Sequence, residues 1–277
     1  MEAIKWLVRD VTLSRRECDK MELDMSASSE CAQISFKALF CDAVVFKTLM
    51  LSLAVQIPLQ YSGMDVLMNY GEAIFLQAGF HEYAGKAVLC IAIFGLLASL
   101  TTIYLMEKWG RVILLMLSGF IMAVTYGTFG YCLYIMRERE TDAIDTTMFW
   151  TIAVCLILYR SGYLLGWGAV GLFIPAELIP NRARGVGCGI AETFSWLLSA
   201  SVSYTFIYMT RTFHDYGTFW FYAGINALGI VFVYFCLPET KGVSLEDFEH
   251  EVKHAPPVYK RRNAAVLRFL SPKHDVK

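Results

Sequence analysis

The side chains most able to do chemistry in this chain are charges placed at the ends of long apolar runs or inside them. Stretch 173–196, FIPAELIPNRARGVGCGIAETFSW, is built around such charges. Pro175 and Pro180 close one helix, Asn181, Arg182 and Arg184 face water, and Gly185, Gly187 and Gly189 open the next. Glu177 then lies just past a helix C-terminus and Arg182 and Arg184 just before a helix N-terminus, so each charge opposes its local helix dipole. Charges set this way require other partners: each other, and the polar turn from Glu107 to Arg111. Asp65, Arg160 and Glu192 sit deeper, inside apolar runs, where an unpaired and unhydrated charge costs at least a few kcal/mol. At about 1.5 Å per residue, Asp65 falls roughly 26 Å and Arg160 roughly 21 Å from the same membrane face, so an ion pair between them is expected. Glu192 falls only about 9 Å in and is expected to reach down to Arg182 or Arg184 instead. The chemistry on offer is electrostatic and hydrogen-bonding. No nucleotide-binding Gly-Lys-Ser/Thr loop and no nucleophile–base set occurs, so no catalytic residue, cofactor or metal site is expected, and no enzyme.

The elements that must position these groups follow from composition. The 277 residues are 56% hydrophobic and 18% charged, with mean hydropathy +0.47, which is the balance of a membrane protein. Six apolar runs, 48–70, 87–106, 112–136, 148–174, 186–210 and 216–237, are each long enough to cross roughly 30 Å of hydrocarbon. In lipid each must be a helix, since only a helix satisfies its backbone within one segment. Residues 1–47 read as short amphipathic cytosolic helices and 238–277 as a cytosolic tail. MEAIKWLVRD has no apolar signal core, so the first run is expected to act as its own insertion signal. Lys and Arg concentrate in the tails and in the turns after the second and fourth runs, against only Lys86, Arg137, Arg139 and Arg211 on the other face, so both termini are expected in the cytoplasm. A net charge of -1 gives no electrostatic footprint for nucleic acid, and the eight cysteines have no metal-ligand spacing.

Polar residues within the runs fall on stripes. Pro58 and Ser62-Gly63 interrupt the first run, Gln56 and Gln60 share one face of it, and Asp65, Asn69 and Glu72 share another. In the fifth run Glu192, Ser195, Trp196, Ser199 and Ser203 recur at i, i+3, i+4, i+7 and i+11. A polar stripe in a lipid-spanning helix faces protein or water. These helices therefore line an interior cavity or bond to one another across it. Gly162 and Gly166 read as close helix packing.

Three motifs occur in order, spaced by whole hairpins: MEKWGR at 106–111, PAELIPNRARG at 175–185 and LPETKGVSLED at 237–247. Together they resemble the C-terminal half of the sugar porters of the major facilitator superfamily, and QYSGMD at 60–65 looks like that family's QLSGIN. The resemblance implies an all-α transmembrane six-helix bundle, the second half of a major facilitator fold, preceded by cytosolic linker helices. It also implies a small polar solute as substrate and a multi-pass protein of the plasma membrane. By motif position Glu107, Arg111, Glu177, Arg184 and Glu239 match the cytosolic charges that latch the two halves of such porters. The solute site would be carried by Gln56, Gln60, Asp65, Asn69, Arg160, Ser195 and Trp196.

The chain departs from the family pattern at several of these positions. Leu59 replaces a Gln, Asp65 an Asn, and Asn69 and Tyr70 an aromatic pair; Ser195 stands at the Asn of an Asn-Trp pair, and Val112 replaces the second Arg of a GRR turn. The run from Gly166 to Leu172 lacks the family's prolines and Trp. A carboxylate and a guanidinium suit a charged or zwitterionic solute, or proton coupling. The family works with two six-helix halves, so the expectation is a second half, a homodimer or a fragment of a longer chain. The alternative is a transport-inactive half-transporter acting as a membrane sensor, regulatory subunit or scaffold.

Overall fold

A computed structural model of the chain describes residues 42–77, 84–138 and 146–239. The amphipathic helices expected before residue 42 and the tail after residue 239 lie outside the described residues. Within them the elements are α1 (Ala43–Gln60), α2 (Met64–Gln77), α3 (Ala84–Trp109), α4 (Arg111–Glu138), α5 (Thr146–Leu165), α6 (Trp167–Leu178), a 3-10 turn (Asn181–Ala183) and α7 (Arg184–Cys236). Four stretches, Val88–Trp109, Arg111–Glu138, Trp150–Leu178 and Asn181–Cys236, are long and apolar enough to cross a membrane, and the bent pair α1–α2 makes a fifth.

The last stretch accounts for two crossings. A straight helix of that length would run roughly 80 Å, yet the rings of Phe206 and Phe219 lie 6.5 Å apart. The chain doubles back at His214, whose φ of 61° and ψ of 171° are non-helical and cost about 1–3 kcal/mol. Residues 184–213 and 215–236 are therefore the fifth and sixth spans, which gives the six-helix bundle expected from the apolar runs. α3 lies on the outside, leaving Leu96, Leu100 and Ile103 exposed where the surroundings are lipid.

Two spans are broken. The first breaks at Tyr61–Gly63, as Pro58 and Ser62-Gly63 predict, with a bend of 40°. The fourth breaks at Gly166, which was expected to be a continuous helix. Both breaks free backbone carbonyls in a dry interior, and both are closed by side chains from neighbouring spans. At the first, Tyr159 and Asn226 donate to Ser62 O at 2.9 and 3.1 Å, and Tyr126 donates to Gly63 O at 2.9 Å. At the second, Ser118 Oγ donates to Gly162 O at 2.6 Å, and Thr102 Oγ1 lies 3.1 Å from the carbonyls of both Leu164 and Leu165. The core is centred on the first break: Tyr126 stacks on Tyr159 with centroids 3.6 Å apart, and Phe219 meets Tyr126 and Phe129 edge-on.

Because Tyr159 and Asn226 share one acceptor, their contributions are expected to be coupled. Tyr159→Phe alone should cost about 0.6–1.7 kcal/mol. Adding Asn226→Leu should cost more than the sum of the singles, since only the double variant strips Ser62 O of both side-chain donors. Unfolding free energies in mixed micelles check this, and strictly additive values would show that the carbonyl finds another donor.

Candidate functional site

The break in the first span creates a new helix N-terminus in mid-bundle, and Asp65 stands in the first turn of α2. A carboxylate there is stabilised by the helix dipole without any cationic partner. The expected ion pair with Arg160 is accordingly not formed. The Arg160 guanidinium rests instead on the neighbouring thioether, with Nη1 3.5 Å from Met64 Sδ. The two charges do reach the same level of the bundle, as their depths predict. Asp65 Oδ2 is buried with no hydrogen-bond partner, as is the hydroxyl of Tyr222.

One turn before the break, the polar stripes meet. Gln60 Nε2 donates to Ser195 Oγ at 2.5 Å and Ser195 Oγ donates to Gln56 Oε1 at 3.1 Å, joining the first and fifth spans through a short hydrogen-bonded chain. Gln56 and Ser195 are buried. Further along the same interface Tyr61 Oη lies 2.9 Å from Ser201 Oγ, Asn69 Nδ2 donates to Ser203 Oγ at 3.2 Å, and Tyr70 Oη donates to Ser203 O.

Of the expected solute contacts, then, Gln56, Gln60 and Ser195 come together and Asp65 follows them beyond the break. Asn69 is exposed and tied to Ser203. Trp196 does not join them: it is 67% exposed while Ser195 is buried, because adjacent helical residues point about 100° apart. Glu192 is also exposed, and neither Arg182 nor Arg184 reaches it.

The charged turns assemble at one end of the bundle. Arg111 Nη2 lies 2.8 Å from Glu177 Oε1, with Nε donating to both carboxylate oxygens at 3.2 and 3.3 Å. Glu239 caps α4 from the far end of the chain: its two oxygens accept from the backbone N–H of Arg111 at 2.9 Å and of Val112 at 3.1 Å. An anion on these amides is favoured by the helix dipole. Gly110, with φ of 89°, provides the turn that lets the carboxylate approach. The structure brings Arg111, Glu177 and Glu239 together and leaves out Glu107, which is exposed on α3, and Arg184, whose Nε and Nη2 are buried with no hydrogen-bond partner. The Arg111 guanidinium is engaged by Glu177, while Glu239 takes the Arg111 backbone amide.

One contact at this end was missed. Asp42 caps α1 by accepting from Val44 N at 3.0 Å and pairs with Arg182 at 2.7 Å. An Asp directly ahead of a long apolar run is an N-cap signal that could have pointed to it.

The model of the family described as "Sugar (and other) transporter" matches residues 1–252. The chain is 27% identical over 249 residues to the facilitated trehalose transporter Tret1 of Bombyx mori, covering 90% of this chain and 48% of that protein. It is 30% identical over 210 residues to trehalose transporter 1 of Drosophila melanogaster, covering 74% of this chain and 24% of that protein. Among solved structures it is similar to the inward-open xylose transporter XylE from E. coli, with TM-score 0.65, 20% identity and coverage of 89% of this chain and 48% of that one. The proton:xylose symporter XylE bound to 6-bromo-6-deoxy-D-glucose gives TM-score 0.67 at 23% identity, covering 86% and 48%. The chain thus spans about half the length of the first of these curated relatives and of both solved structures, a quarter of the second relative, and the likeness to the structures speaks for the fold.

Proposed function

The chain belongs to the sugar (and other) transporter family, and on that premise we propose that it is one six-helix half of a transporter for a small polar solute, a sugar or sugar-like molecule. Alternating access would be provided by rocking against a second six-helix bundle, contributed by another part of a longer polypeptide, another chain or a second copy. The substrates in the names of its relatives, trehalose and xylose, define the first solutes to try. Both termini would be cytoplasmic and the membrane the plasma membrane.

The observation that carries this reading is Asp65, whose buried Oδ2 has no partner at the break of the first span, one turn beyond the Gln56–Ser195–Gln60 chain. A buried acceptor without a donor is costly, and a solute hydroxyl or ammonium would satisfy it. Gln60 and Ser195 offer exchangeable hydrogen bonds beside it. Trp196 and Asn69, at the exposed edge, would contact solute only once the second bundle covers them, and Arg160 would balance Asp65 when it leaves the Met64 sulfur. Arg111, Glu177 and Glu239, with Glu107 and Arg184 nearby in sequence, would latch the two bundles at the cytoplasmic face.

Uptake of labelled trehalose and xylose into proteoliposomes, with and without a matching N-terminal six-helix half, tests the proposal. Gln60→Ala should lower uptake at least about tenfold, the range seen when a site loses a hydrogen bond to a substrate hydroxyl. Asp65→Asn should preserve uptake of a neutral solute and abolish that of a cationic or proton-coupled one. Unchanged uptake of both solute types in both variants would remove the solute-binding role from this face. One observation favours a second reading, the transport-inactive sensor, regulatory subunit or scaffold: Gln56, Ser195 and Gln60 already satisfy one another. No uptake with any added half would decide for it.

A further inference from the structure

At the end of the bundle opposite the Arg111–Glu177–Glu239 cluster lies a cavity of about 430 Å³, between the last turns of α4 and the reversal at His214. One side of it is apolar, formed by Leu133 and Met136 of α4 and by Phe206 and Phe219 from the two arms of α7. The rest is formed by Arg137, Asp215 and Tyr216. The Arg137 guanidinium sits over the Tyr216 ring, 5.9 Å from its centroid, and makes no ion pair with Asp215. Two opposite charges thus line one cavity without a direct ion pair between them. The backbone that places Asp215 there is strained, with His214 in a positive-φ conformation and its ring parallel to that of Tyr216 at 5.7 Å. Strain of this kind concentrates where a side chain must be held in a set position.

We infer that this cavity binds a zwitterion bearing a phosphate and an ammonium a few ångströms apart, with Arg137 holding the phosphate, Asp215 the ammonium and the Phe206–Phe219 side the adjoining apolar group. The headgroup and first methylenes of a phosphatidylethanolamine match that pattern, and so does a free phosphoethanolamine compound with its apolar side unfilled. The site lies where the third and fifth spans end and the sixth begins, which is the level of the lipid headgroups. It does not depend on the transport reading: it is at the other end of the bundle from the charged turns and uses none of the residues assigned to solute. The Asp215 side chain is exposed and makes no ion pair with Arg137, so Asp215→Asn is expected to fold as well as the parent.

Native mass spectrometry and thermal unfolding of the purified chain in lipid-free detergent would test the site, with phosphatidylethanolamine, phosphatidylglycerol or soluble glycerophosphoethanolamine added in turn. Phosphatidylethanolamine should bind at least about tenfold more tightly than phosphatidylglycerol, which has the phosphate and lacks the ammonium, and should raise the unfolding temperature. Asp215→Asn should erase the difference between the two lipids, and Arg137→Ala should weaken both. If Arg137→Ala does not fold, Arg137→Gln serves in its place. Equal protection by the soluble compound would identify the ligand as a free zwitterion, and protection by the lipid alone would identify it as a membrane component; both support the site. Equal binding of the two lipids by the parent, or a preference that survives Asp215→Asn, overturns it.

Discussion

Gly63→Val is expected to lower the unfolding free energy by about 3–5 kcal/mol, from backbone strain at positive φ together with overpacking. Gly63 has φ of 91°, and a Cβ there would stand 2.8 Å from Tyr126 Cε2 and 2.9 Å from Tyr222 Cγ. Neither ring can retreat. Tyr126 is stacked on Tyr159 and donates its hydroxyl to the Gly63 carbonyl itself, and Tyr222 is only 1% exposed. The clash therefore falls on the core and on the hydrogen bonds that close the broken span. Gly224→Ala is the matched control. It lies in the same bundle with nothing within 4 Å of its added methyl, and should be neutral or stabilising by up to about 1 kcal/mol. Unfolding in mixed micelles, followed by tryptophan fluorescence, measures both. A loss below about 1 kcal/mol for Gly63→Val would show that the break can close into a continuous helix.

The second large effect is expected at the charged end. In Gly110→Val a Cβ would stand 2.7 Å from Glu239 Oε2, on a backbone with φ of 89°. The carboxylate must leave, and the amides of Arg111 and Val112 lose their acceptor. Strain of about 1–2 kcal/mol and loss of charge-assisted bonds worth roughly 1.5–3 kcal/mol give an expected cost near 3–4 kcal/mol. Glu239→Gln keeps one oxygen for one amide and should cost only about 1–1.5 kcal/mol. Arg111–Glu177 is partly exposed, so Glu177→Gln should fall within about 1 kcal/mol. A Gly110→Val protein as stable as the parent, or Glu239→Gln as costly as Gly110→Val, would mean that the cap is not what the turn is shaped for.

These two glycines mark how far the sequence can be read. The spans were legible because an apolar run of about 20 residues has no alternative to a helix in lipid. The first break was legible because Pro58 and Ser62-Gly63 weaken that helix locally. The break at Gly166 was not, since a single Gly in a span reads as packing, and only Ser118 and Thr102 on other helices make an opened turn tolerable there. Helical periodicity brought Gln60 and Ser195 to the same interface correctly. It could not separate Ser195 from Trp196, which fall on one broad stripe and diverge when the helix takes its final rotation. Depth arithmetic placed Asp65 and Arg160 at one level. It could not foresee that the break itself would put Asp65 at a helix N-terminus and leave the guanidinium on the Met64 sulfur. Asp42 falls within 1–47, the segment that reads as a surface linker, and its role as cap and partner of Arg182 depends on how α1 meets the 3-10 turn.

The cap on α4 has a consequence for how the protein is made. The amide of Arg111 receives its acceptor from a residue 128 positions later. At roughly 5–20 residues per second, the Arg111 amide waits about 6–25 s after its own synthesis before Glu239 exists. Ser62 O waits similarly for Tyr159 and then Asn226, 97 and 164 positions on. The early spans are therefore inserted with unfinished hydrogen bonding, and translation of the sixth span is the step that locks them. A ribosome stalled before residue 226 should hold an intermediate whose first and third spans remain open to proteases and to membrane chaperones.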